Sequence, residues 1–189
     1  MNTPHNPASP NAARAKAPAS PSTPPGLALQ LYQRWLAPVV TQMSHLPYSP
    51  LALLARFSIA AVFWQSGQTK VQGLAINFVS GTFEFGLPRL ADGVVDLFES
   101  EYNLPLLPPE LGAILAALGE HVFPVLILLG LATRFSALAL LGMTAVIQLL
   151  VYPGAYATHG VWASVLLMLM MQGPGKWSLD QWIVTKGSR

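Results

Sequence analysis

Residues 111–132 read LGAILAALGEHVFPVLILLGLA, an apolar run with one carboxylate and one imidazole near its middle. A helix rising about 1.5 Å per residue needs about 20 residues to cross the hydrocarbon core of a bilayer, so this run can span it. An ionisable group at such depth is costly and marks a function or a buried partner. Glu120 is therefore the first candidate functional residue. What it does depends on which other side chains share its depth.

Outward from this run lie three more of similar character, 51–69, 135–152 and 155–171. The last two are short for a span, but their ends carry Tyr152, Tyr156 and Trp162, side chains that suit the head-group level. The connections Thr133-Arg134 and Pro153-Gly154 are tight, which makes the last three helices antiparallel neighbours. The expectation is an all-α membrane protein with a four-transmembrane-helix bundle. Composition agrees, since 52% of residues are hydrophobic and 10% charged, too few for a soluble surface. Cysteine is absent, which excludes disulfides, thiolate metal ligands and thiol exchange by this chain. The net charge of +2 is scattered along the sequence and gives nucleic-acid binding no support.

Ahead of the bundle, residues 1–26 are rich in Pro, Ala, Ser and Asn without apolar period, which predicts a disordered tail. The tail lacks the apolar core and cleavage site of a secretory signal, so the amino terminus is expected to be retained. Over 27–46 apolar residues recur in pairs at helical spacing, from Leu27 and Ala28 to Met43, with Gln30, Gln33, Arg34 and Gln42 on the other face. That amphipathic helix fits the membrane interface, with Pro38 as a kink; a soluble docking helix is the alternative.

With four spans, both termini and the Thr133-Arg134 turn share one side, which holds Arg14, Lys16, Arg34, Arg134, Lys176, Lys186 and Arg189 against Lys70 and Arg89 opposite. The positive-inside rule then places both termini in the cytoplasm. The long connection 70–110 faces outward and holds Glu84, Asp92, Asp96, Glu99, Glu101 and Glu110. Within it Leu87, Leu90, Val94, Leu97 and Phe98 have helical spacing, which predicts a short helix over the bundle's outer mouth, as a functional element or as a simple lid.

On the same rise per residue, Glu120 lies roughly 13 Å below the outer end of its span, and Gln65 and Gln148 about 6 Å below theirs. His159 is shallower. Gln65, Glu120, His121, Gln148 and His159 are thus candidates to line one outward-facing cavity, each offering the polar partner that lipid cannot. Gln65 and Gln148 also fit a role as interhelical hydrogen-bond partners, and His159 fits one as a partner of exposed backbone at a helix start. Arg56, near the inner end of the first span, can reach the head groups or form an ion pair with Glu120. His121 follows Glu120 by about 100° around the helix, so the two do not both face one small ligand, and no metal site is expected.

The order of short motifs now resembles a known family. The first span ends FWQSGQTK at 63–70; the outer loop contains LFESEY at 97–102 and LPLLPP at 104–109. Then come GEHVFP at 119–124, LGLATR at 129–134, VYPG at 151–154, His159 and GPGKWSLD at 173–180. Together these resemble the DoxX family of small bacterial inner-membrane proteins over roughly residues 51–183. The resemblance implies four transmembrane helices and a place in membrane redox or stress-response systems, since relatives include subunits of a thiosulfate:quinone oxidoreductase. The loop wording is closest to members associated with copper-binding peptides. The motif positions carried over are Gly67, Lys70, Glu120, Pro124, Arg134, Gly173 and Pro174, without an assigned catalytic role.

Two functional expectations follow. The first is an accessory subunit, not catalytic alone, that binds a quinone-like amphiphile in the outer cavity, with Glu120 exchanging a proton and Gln65, Gln148 or His159 holding the head group. The second is a non-enzymatic membrane anchor or assembly partner whose acidic loop recruits a periplasmic protein or metal-binding peptide. A small transporter has less support, because Pro124 alone hints at a broken helix.

Overall fold

A computed structural model describes residues 26–77 and 80–187. The tail expected to be disordered over 1–26 lies, apart from Gly26, outside the described residues. The chain divides into two units, Met1–Leu46 and Pro47–Arg189.

In the first unit, α1 (Leu27–Ser44) is helical throughout and has no buried residue; Leu27, Trp35 and Met43 are among its most exposed side chains. It passes through a π turn at Tyr32–Leu36, just ahead of Pro38, whose missing N–H leaves a carbonyl one turn back without its usual donor.

The second unit is built on four long helices: α2 (Tyr48–Gln68), α4 (Pro109–Leu129), α5 (Thr133–Val151) and α6 (Pro153–Gln172). α2 packs on α4, α4 on α5, α5 on α6 and α6 back on α2, so the four close a ring. Its core interleaves Ile59, Ala60 and Phe63 of α2 with Ile127 of α4, Leu140 of α5 and Leu166 and Leu169 of α6. Small residues at Ala52, Ala55, Ala113, Ala117 and Ala137 let the backbones approach, as packing in lipid requires. α4, α5 and α6 are each long and apolar enough to cross a membrane, and the chain has three or four candidate spans in all. Their lipid-type surfaces are rich in exposed Leu, Val and Phe. The chain is a multi-pass membrane protein.

Between α2 and α4 the all-α expectation fails. β1 (Val71–Asn77) and β2 (Thr82–Leu90) form an antiparallel hairpin, pairing Val71 with Leu90 and Asn77 with Thr82. The predicted helix starts only at α3 (Val94–Leu97), which runs into a π turn at Phe98–Tyr102. Leu87, read as part of the helix's first turn, belongs instead to the period-two series Phe83, Phe85, Leu87, and Leu90 ends the same strand; Pro88 disfavours helix at Leu87. The register shifts between Gln72 and Leu74, where Gly73 has φ +81° and a Cβ would lie 2.5 Å from the Leu87 carbonyl oxygen. α3 docks on the start of α4 through Val94, Phe98 and Ala113. A last helix, α7 (Leu179–Gly187), follows the loop after α6.

Candidate functional site

Glu120 is 2% exposed, on the face of α4 that meets α2. Its Oε2 lies 2.8 Å from Nζ of Lys70, itself buried, and its Oε1 accepts from the Ser66 hydroxyl at 3.1 Å. Lys70 Nζ also donates to Ser66 Oγ at 3.1 Å and to the Ser66 carbonyl at 3.3 Å. Ser66 and Lys70 are four apart, so the last turn of α2 and the second residue beyond its end present both groups to one carboxylate. The buried charge is thus paired and hydrogen-bonded, the condition under which burial is tolerated.

His121 grips the same helix from the other side of Gly67. A Cβ on Gly67 would lie 2.8 Å from His121 Cε1 and 3.1 Å from Glu120 Cβ. His121 Nδ1 lies 2.7 Å from the Ala117 carbonyl, which can only accept, so Nδ1 carries the proton. Nε2 therefore accepts from Gln68 Nε2 at 2.9 Å. Gln68 Oε1 in turn accepts the Ile76 N–H at 2.7 Å, which fixes the amide's orientation, and Trp64 Nε1 donates to the Ile76 carbonyl at 3.0 Å. Trp64 meets the His121 ring edge-on, with centroids 5.0 Å apart.

A groove of about 560 Å³ runs beside this cluster, between the hairpin and α4. Trp64, Leu74, Leu90, Ala117, His121, Val122, Val125 and Leu126 are among its walls, and among the described residues Arg89 is its one charged side chain. Because both His121 nitrogens are engaged, Arg89 is the hydrogen-bond donor left to face a ligand there.

The expected cavity of five polar residues is not what the structure forms. Of the five, His121 alone lines the groove. Glu120 is sealed between α2 and α4, and Gln65 is exposed on α2. Gln148 and His159 make a separate knot: Gln148 Nε2 donates to the Pro153 carbonyl at 2.7 Å, so its Oε1 accepts from His159 Nδ1 at 2.7 Å. They join α5 to α6 across the tight turn. The ion pair of Glu120 with Arg56 is also replaced. Arg56, 3% exposed, donates to the carbonyls of Ile127 at 3.0 Å, Leu128 at 2.7 Å, Pro174 at 3.0 Å and Trp177 at 2.7 Å. It ties the end of α4 to the loop before α7, a demand the carbonyls of a terminating helix create.

Above the pair, Tyr152 donates its hydroxyl to Glu101 Oε1, and Tyr102 meets Tyr152 edge-on with centroids 6.1 Å apart. Burial first, then the carboxylates of Glu120 and Glu101, push the Tyr102 phenol above its ordinary range. Sequence reasoning missed Lys70, Ser66 and Arg89 as site residues. The signal for the first two was present: a Ser and a Lys at helical spacing around a glycine, at the end of a span that must meet the one carrying Glu120.

The family model named DoxX matches residues 51–153. An uncharacterized protein of Haemophilus influenzae is 30% identical over 136 residues, covering 68% of this chain and 80% of its own. No solved structure matches. The matched segment runs from α2 to the turn after α5 and holds the Lys70, Glu120 and His121 cluster, and on that match this membrane protein belongs to the DoxX family.

Proposed function

We propose that this chain is an accessory subunit of a bacterial inner-membrane redox system that binds a quinone-like amphiphile in the groove between the hairpin and α4. All four long helices then cross the membrane, with both termini in the cytoplasm and the hairpin in the periplasm. The observation that carries the reading is the groove itself, with carbon-rich walls and a single cation at Arg89. Sites for amphiphiles combine such walls with few polar groups. A quinone would supply the redox chemistry, and the chain's residues would bind and orient it. Arg89 would donate to a ring oxygen, Trp64 and His121 would wall the ring, and Val122, Val125 and Leu126 would take the tail.

Glu120 has a different place in this reading from the proton carrier expected at first. Its charge is held by Lys70 and Ser66, and the pair fixes α2 against α4 so that Trp64 and His121 keep their positions. Purification in mild detergent followed by lipid extraction tests the proposal. Quinone should co-purify with the parent protein and fall severalfold with Val125→Trp and with Arg89→Gln. Absence of quinone from the parent, or equal amounts in the groove-filled variant, overturns it.

A second reading, an anchor for a periplasmic partner, draws support from β2. Phe83, Phe85 and Leu87 alternate along it and are 52%, 78% and 92% exposed. Patches of that kind mark interaction surfaces. In that case Phe85→Asp with Leu87→Asp should abolish partner pull-down while Val125→Trp leaves it intact.

A further inference from the structure

The far end of the bundle holds a second recess, of about 880 Å³, where α2 and α5 begin and α6 ends. It lies on the same side as the Thr133-Arg134 turn, away from the hairpin groove. Arg134 and Lys176 both line it, and among the described residues neither forms an ion pair. The Arg134 guanidinium lies across the loop after α6, with Nη2 3.5 Å from the point a Cβ on Gly173 would occupy. No side chain caps the first turn of α2, whose Tyr48 and Ser49 also line the recess, so the positive end of a 21-residue helix adds to the two cations.

Two further observations bear on what fits. Thr133 is fully buried, lines the recess, and its hydroxyl has no hydrogen-bond partner in the protein. Buried hydroxyls are almost always bonded, so an unbonded one at a cavity wall is free to donate to a ligand atom. Asp180, the one acid in the lining, directs its two oxygens at the N–H groups of Ala132 at 2.8 Å and Thr133 at 3.0 Å. It neutralises the start of α5 and leaves the two cations uncompensated.

We propose that this recess binds a phosphate group and that a phospholipid head group brings it. Arg134 and Lys176 pair with the phosphate oxygens, and the Thr133 hydroxyl donates to one of them. The source is argued from position. The recess opens at the ends of membrane-crossing helices, the level at which lipid phosphates lie. Beside it α7 exposes Trp182, Ile183 and Val184, at 55%, 51% and 64%, and the preceding loop exposes Trp177, a composition suited to lying in the interface.

The test uses the full chain, stripped of lipid in a neutral maltoside detergent, and follows its thermal midpoint as lipid is added. Phosphatidylglycerol should raise the midpoint saturably, and diacylglycerol with the same chains should not. Arg134→Gln with Lys176→Gln should weaken the phosphatidylglycerol response about tenfold, the scale of losing charge-assisted bonds to one anion. Thr133→Val should weaken it severalfold without lowering the midpoint of the lipid-free protein, since it removes an unbonded buried hydroxyl. Lys176→Gln alone, at an exposed position, provides a variant whose folding is not in doubt. An unchanged titration in Lys176→Gln and Thr133→Val, or equal protection by diacylglycerol, overturns the proposal. Inorganic phosphate should compete with the lipid; if millimolar phosphate alone gives the full shift and lipid adds nothing, the site is a phosphate site but the lipid source is wrong.

Discussion

At the residue scale the decisive arrangement is one carboxylate and one ammonium buried together 2.8 Å apart. Removing one partner of a buried pair leaves an uncompensated charge, which costs about 3–5 kcal/mol, whereas replacing both by apolar groups is often neutral. Lys70→Met should therefore lower the thermal midpoint sharply, and Lys70→Met with Glu120→Leu should recover most of the loss. If the double variant is as unstable as the single one, the pair has no mutual role. Gly67 makes an equally local demand. Gly67→Ala places a methyl 2.8 Å from the His121 ring, so α2 and α4 must part or His121 must leave Ala117 and Gln68. The expected readout is a lower midpoint together with a changed tryptophan emission from Trp64, which meets that ring edge-on.

At the element scale the motifs at the end of the bundle away from the hairpin act as one latch. Asp180 caps α5 through its side chain and bonds the Gly130 carbonyl through its own N–H at 2.9 Å, while Arg56 collects carbonyls from α4 and from the loop before α7. Gly130, at φ +69°, leaves no room for a Cβ, which would lie 2.5 Å from Ser178 Cβ. Asp180→Ala should cost about 1 kcal/mol, the usual worth of a cap, measured by denaturant or thermal unfolding in detergent. Arg56→Leu should cost more, because it strands several buried carbonyls at once. The helices themselves were legible in the sequence because their runs are long and apolar. The hairpin was not: Leu87 ends a period-two series over 83–87 and begins a helical one over 87–98, and only pairing with β1, itself held to Trp64 and Gln68 through Ile76, selects the strand as far as Leu90.

At the scale of the whole molecule the sequence placed polar residues by depth but could not place them around the helix axes. Gln65, Gln148 and His159 fall by sequence depth in the same half of the bundle as Glu120, yet the rotation of each helix in the ring leaves Gln65 exposed, pairs Gln148 with His159 and seals Glu120 away from both. Arg56 shows the converse. A buried arginine without a carboxylate looks like half of an ion pair in sequence, because backbone carbonyls from two distant segments leave no mark in residue type. The orientation of the chain is read by labelling, which the absence of cysteine makes clean. A single cysteine at Ser100 should react with an impermeant maleimide in intact spheroplasts, and one at Lys186 only after lysis. The reverse pattern would invert the orientation and with it the leaflet that supplies the recess beside α7.

The tie between Ile76 and α2 has a consequence for the solubility of the hairpin. A two-stranded sheet has two open edges, and an open edge invites another strand to add to it. At Ile76 both backbone groups are occupied by Gln68 and Trp64, so the β1 edge is blunted there. Strand addition, whether by a neighbouring copy in a crowded membrane or by a misfolded chain, is left to β2. Gln68→Ala would reopen the blocked edge, and the expected signature is self-association that rises with protein concentration while the helical content is unchanged.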